Sequence, residues 1–206
     1  MRVSRRRFLA TGAAAALAAG VGAACGGGAD GDGDGTATTV TTAPVLTGDV
    51  AVASLIAGLE NLAIDAYDAL IATASAGELG DVPAVIGAIV ASARAHHIEH
   101  LAVWNRVLRV VGRPEVEAAD AGLQPTLDGM LAEVSDVGGA ARLALLVEEI
   151  LADTYLKAVP TLVDRESVRA AALILATDQQ HQTVLRYALG ENPVPEPIQI
   201  PDKAAS

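Results

Sequence analysis

The sequence predicts an all-α fold, an antiparallel four-helix bundle, and three observations point there. Hydrophobic residues make up 51% of the 206-residue chain but aromatic ones only 2%, so the apolar mass is Ala, Val and Leu, which suits close-packed helices better than a β-sandwich. Four stretches carry apolar residues at steps of three and four, the period of a helix with one buried face. Short connections pair the first stretch with the second and the third with the fourth as antiparallel neighbours, and one long crossover joins the two pairs.

In chain order, residues 1–24 read as an export signal. Arginines precede an apolar run from Ala10 to Ala24 that is weaker than the roughly 20 strongly apolar residues of a membrane span. Arg5 and Arg6, ahead of Phe8 and Leu9, resemble the twin-arginine export signal. Gly22-Ala23-Ala24-Cys25 resembles a bacterial lipoprotein cleavage box, with Gly22 where Leu is usual. That resemblance implies that Cys25 is lipidated and is the first mature residue. The partner is then a membrane, held through a lipid anchor on the outer face of the cytoplasmic membrane. Simple cleavage at the small residues would give a secreted form instead. Cys25 is the single cysteine, which excludes an intrachain disulfide. Residues 25–48 are Gly, Asp, Thr and Ala with almost nothing to bury, the composition of a flexible tether.

Residues 49–190 carry the four helical stretches. The first runs from about Val50 to Ala76. The second runs from about Val82 to Val111, with Asp81 as the expected N-cap and Pro83 in the first turn. From Gly112 to Val137 the chain crosses the bundle past Pro114, Gly122 and Pro125, with room for a short helix near Leu127 to Val134. The third stretch runs from about Gly139 to Val159, ahead of Pro160. The fourth runs from about Ser167, read as its cap, to Leu189, with Gly190 as the stop. Residues 191–206, with Pro193, Pro195, Pro197 and Pro201, read as an extended strap or a disordered end.

The inward stripes are not purely apolar. The first contains Ile56, Glu60, Ala63, Tyr67 and Leu70. The second passes through Ala93, His97, His100 and Trp104, leaving His96 and Glu99 on the wetter side. The third contains Ala144, Glu148, Leu151 and Tyr155, with Glu149 outside it. The fourth contains Ala171, Ile174, Asp178, His181 and Leu185. An unpaired buried carboxylate costs several kcal/mol, so three of them would consume most of a typical stability of roughly 5–15 kcal/mol. Divalent cations remove the difficulty, because carboxylates and neutral imidazoles are their natural ligands. The formal net charge of −11 becomes −15 without the four arginines of the first 24 residues. Such a body repels nucleic acid, which is not an expected partner, and tolerates cations.

An internal repeat selects the same residues. Glu60 and Tyr67 recur 88 positions later as Glu148 and Tyr155, and His97 and His100 align with Asp178 and His181 at an offset of 81. The two hairpins read as copies about a pseudo-twofold axis. Tyr67 and Tyr155 are either plain core or hydrogen-bond donors to the carboxylates, and Trp104 reads most simply as core.

Taken together, these residues resemble the ferritin-like superfamily, in particular the exported bacterial ferritin-like domain proteins. Their pattern is Glu on the first helix, Glu-x-x-His on the second, Glu on the third and Glu-x-x-His on the fourth. Here it becomes Glu60, His97-x-x-His100, Glu148 and Asp178-x-x-His181, with His97 and Asp178 standing where the pattern has Glu. The resemblance implies a metal site of Glu60, His97, His100, Glu148, Asp178 and His181. Such a site would hold iron, or manganese or zinc, as one or two ions, with ferroxidase or peroxide-reducing activity if it is redox-active. The alternative is a non-catalytic surface, adaptor or stress protein whose metal site has degenerated, which the His97 and Asp178 departures motivate.

Overall fold

The computed structural model describes residues 48–205, and these contain five helices and no strand. The signal segment with Arg5 and Arg6, Cys25, and the tether up to residue 47 lie outside the described residues. Helix α1 spans Asp49–Ser75, α2 Ala84–Val110, α3 Gln124–Leu131, α4 Val137–Ala158 and α5 Arg165–Ala188. Helix α1 packs along α2 and α4 along α5, forming two hairpins, and α1 meets α4 across the middle. This is the expected four-helix bundle, with α3 riding on the crossover between α2 and α4.

Apolar periodicity decides which faces meet. Ala53, Ile56, Ala63, Tyr67 and Leu70 of α1 are buried, as are Ala93, Trp104 and Leu108 of α2. Ala144, Leu151 and Tyr155 of α4 close the core with Ala171, Ile174 and Leu185 of α5. The stripes give out at the bundle ends, where Val111 and Ala188 are exposed.

The connections differ from expectation in ways that local chemistry explains. Asp81 does not cap α2; Pro83 takes the N-cap position, and no side chain satisfies the first turn there. Proline's fixed φ suits a helix start, and its missing N–H leaves one donor fewer to satisfy. Ser167 does not cap α5 either. Asp164 does, its carboxylate accepting from the Ser167 backbone N–H at 2.8 Å and from the Ser167 hydroxyl at 2.9 Å. An aspartate three residues ahead reaches those free donors without entering the helix. Gly190 has φ 74°, the left-handed conformation of a helix stop. The crossover helix begins three residues earlier than expected, with Pro125 in its first turn.

Two asparagines pin the crossover, which the sequence pattern does not reveal. Asn61 of α1 and Asn105 of α2 both donate to the Val116 carbonyl, at 3.0 and 3.2 Å, and Asn105 accepts from the Val116 N–H at 2.9 Å. The C-terminal residues form a strap over α4. Gln199 Nε2 and the Lys203 backbone N–H donate to the buried Asp153 carboxylate at 3.0 and 2.9 Å, and the Ala205 N–H donates to Thr154 Oγ1 at 3.0 Å. Glu149 is not a solvated helix-face charge. It is buried and ion-paired with Arg186 of α5 and with Lys203 of the strap.

The two capping assignments can be tested directly. Asp164→Ala should lower unfolding free energy by about 1 kcal/mol, the usual worth of an N-cap, whereas Asp81→Ala should leave it within about 0.5 kcal/mol. Urea unfolding followed by far-UV circular dichroism would measure both, and equal effects would contradict the assignment.

Candidate metal centre

The ionisable residues of the four inward stripes meet halfway along the bundle. Glu60, His97, Glu148 and Asp178 have no solvent exposure, and His100 is 8% exposed. Each backbone position follows from helical period: Glu60 and Tyr67 lie two turns apart on α1, and Glu148 and Tyr155 two turns apart on α4.

The tyrosines cross-brace the glutamates. Tyr67 of α1 donates to Glu148 Oε1 on α4 at 2.6 Å, and Tyr155 of α4 donates to Glu60 Oε1 on α1 at 2.5 Å. This reciprocal pair is what a pseudo-twofold axis between the hairpins predicts. Trp104 is more than core, because its indole N–H donates to Tyr155 Oη at 2.6 Å and so fixes the oxygen that holds Glu60. Gln182 of α5 donates to the Glu148 backbone carbonyl at 3.0 Å.

His97 sits between the glutamates, its Nδ1 2.8 Å from Glu60 Oε2 and its Nε2 3.0 Å from Glu148 Oε1. His100 Nδ1 lies 3.6 Å from Glu60 Oε1 and 3.7 Å from Asp178 Oδ1, while His181 Nδ1 lies 3.1 Å from Glu148 Oε1. Two groups therefore have ligand atoms close enough to surround one ion: Glu60, His97 and His100, and His97, Glu148 and His181. All six residues expected from the sequence lie in this cluster, with Asp178 beside the first group.

His96 is exposed, as its place on the helical wheel expects, yet its ring reaches the edge of the cluster. Its ring is stacked on His181 with centroids 5.1 Å apart and planes 9° from parallel, and its Nδ1 lies 2.9 Å from His181 Nε2. If His181 Nε2 donates to His96, the His181 Nδ1 lone pair is left facing Glu148. Burial lowers the His96 pKa, with the His181, His100 and His97 rings adding to the effect. Glu99 is exposed and takes no part.

Electrostatics divides the carboxylates. Burial pushes the Glu148 pKa up, but the His97 and His181 rings outweigh it and take the pKa from 4.5 to about 2. For Glu60, burial is likewise outweighed, by His100 and His97, and the pKa falls below 4.5. Burial also opposes charge on His97, yet the Glu148 and Glu60 carboxylates raise its pKa well above 6.5. For Asp178, burial, with the negative charge of Glu60 and Glu148, outweighs the His97 ring and lifts the pKa well above 3.8. Burial raises both tyrosines well above 10, so they remain protonated donors.

A fit to cations can be judged from the polar atoms left over. Among the described residues, both oxygens of Asp178, Glu148 Oε2, His100 Nδ1 and His181 Nδ1 are buried and make no hydrogen bond. Buried polar atoms without partners are rare and costly. Five in one cluster, all of them oxygen and imidazole donors, match the ligand chemistry of divalent iron, manganese or zinc.

The model of the ferritin-like domain family matches residues 48–191 of the chain. No curated protein and no solved structure matches it significantly.

The pKa shifts set a pH profile for the metal-free protein. Glu60 and Glu148 are lowered, so their contribution is present above about pH 4.5 and is lost as pH falls toward 2. Asp178 and His97 are raised, so their contributions are present below 3.8 and 6.5 and are lost as pH rises through the folded pKa values. The Tm after chelation should therefore peak in mild acid and fall toward alkaline pH. Asp178→Asn should flatten that fall and raise the Tm at pH 8 by a few degrees, at about 2–4 °C per kcal/mol. Differential scanning calorimetry from pH 4 to 9 would show it.

Proposed function

Since the chain belongs to the ferritin-like domain family, we propose that it is an envelope protein that binds iron, or manganese or zinc, inside its bundle. The observation that carries this reading is the convergence of five unpartnered oxygen and imidazole atoms of His100, Glu148, Asp178 and His181. Arg5 and Arg6 support export by the twin-arginine route, and Cys25 supports a lipid anchor on the outer face of the cytoplasmic membrane. The acidic body suits cation capture at that surface.

Glu60, Glu148 and Asp178 supply the negative charge, and His97, His100 and His181 the nitrogen ligands. Tyr67 and Tyr155 hold the two glutamates in one rotamer, and Trp104 holds Tyr155. That bracing presents the carboxylates without the entropy cost of ordering them at each binding event. Bound iron would supply redox chemistry: two ferrous ions give two electrons, which with two protons reduce one hydrogen peroxide to two waters. Ferroxidase or peroxide-reducing activity follows on that chemistry.

One observation favours a second reading, a metal-free adaptor or stress protein. His97 already joins Glu60 to Glu148 directly, as a degenerate site held by hydrogen bonds would. That network leaves Asp178, His100 and His181 unsatisfied, which is why the metal reading is preferred.

Protein purified from its native envelope should contain metal by elemental analysis, and Glu148→Ala and His181→Ala should each lower the content. Chelation should lower the Tm, because an ion at 100 times its Kd stabilises the fold by about 2.7 kcal/mol. Unchanged metal content in both variants, or a Tm indifferent to chelator, would favour the adaptor.

A further inference from the structure

We infer that His97 is a shared ligand, giving one ring nitrogen to each of two separate cations, so that an imidazole rather than a carboxylate joins the two halves of the centre. The inference rests on the metal-binding reading above and specifies how that site is divided.

The geometry is that of two half-sites with one member in common. Glu60 lies against Nδ1 of the His97 ring and Glu148 against Nε2, and His100 groups with Glu60 and His181 with Glu148. The sequence repeat maps these pairs onto each other, Glu60 to Glu148 and His100 to His181. The two groups are thus copies of one half-site about the pseudo-twofold axis, with the His97 ring between them. The two nitrogens of an imidazole point in different directions and cannot chelate a single ion together. A carboxylate at position 97 would bring two ions to the roughly 3.5–4 Å of a dinuclear oxygen-bridged pair; a five-membered ring sets them farther apart.

Charge closes on the same arrangement. Glu60, Glu148 and Asp178 carry three negative charges. A His97 ring that ligates through both nitrogens has given up both N–H protons and carries a fourth, against four positive charges from two divalent ions. Asp178, with both oxygens unpartnered and Oδ1 3.7 Å from His100 Nδ1, completes the Glu60 side. The proton balance follows from the ring's two N–H groups, each of which faces a carboxylate. The first ion displaces the proton of the nitrogen it takes, the second ion displaces the other, and Asp178 gives up its proton as it ligates, all to the buffer. Nothing is oxidised or reduced.

The test is a count of ions together with a measure of their coupling. After chelation, the full chain and its variants are titrated with Zn²⁺ and counted by elemental analysis, with helix content checked by circular dichroism. The native chain should bind two ions, and His100→Ala and His181→Ala one each, because either substitution leaves the opposite group whole. Loaded with two equivalents of Cu²⁺, the native chain should show an exchange-coupled paramagnetic resonance spectrum, and His97→Gln should show two uncoupled copper signals or one. A native chain that binds a single ion, or two ions without coupling, overturns the inference while leaving the metal-binding reading intact. A native chain that binds no ion overturns both.

Discussion

The structure depends on keeping two carboxylates, Glu60 and Glu148, inside a dry helical interior. Neither is exposed, and a lone buried carboxylate is too costly for a domain of ordinary stability. Tyr67 and Tyr155, each from the opposite hairpin, hold them in place. The arrangement is reciprocal, so the hairpins must dock in one register for either brace to form. A helical slip of one residue would turn a tyrosine about 100° away from its glutamate, stranding both. A polar pair of this kind therefore specifies how α1 faces α4 more sharply than the Ala- and Leu-rich packing around it, which tolerates many substitutions.

Much of this was legible in the sequence because the bundle reuses one pattern. Glu60 with Tyr67, and Glu148 with Tyr155, sit on helical period within their own stripes, so the period and the repeat point to the same four residues. What escaped has a common physical reason, in that its partner comes from elsewhere in the chain. His96 is outward, as it reads, but only His181 of α5 laid against it gives its ring a partner. Glu149 reads as solvated until Arg186 and Lys203 arrive, 37 and 54 positions later. Trp104 has ordinary core character from sequence, and only the meeting with Tyr155 gives its indole N–H a role. The helix starts were misread for a local reason: several polar residues stand near each, and loop geometry decides which one reaches the free N–H groups.

The departures from the family's ligand pattern have an internal logic. Replacing a glutamate by His97 exchanges a negative group for one that can carry positive charge between Glu60 and Glu148. That leaves the interior less dependent on cations for its folding. The opposite departure, Asp178, shortens a carboxylate by one methylene and leaves it without a hydrogen-bond partner among the described residues. One hairpin has thus become self-sufficient at its central position, and the other retains an unmet demand for a partner.

The C-terminal strap bears on how the molecule is made. Asp153 receives its donors from Gln199 and Lys203, 46 and 50 residues downstream, so the ribosome adds them only after α5. All four long helices can emerge and collapse before them, since chains fold from the N-terminal side during synthesis. The buried carboxylates of α4 then wait, half-dressed, for the strap. Closure of the described bundle is thus ordered along the chain, and a body lacking the strap would keep its helices in place but miss its latch.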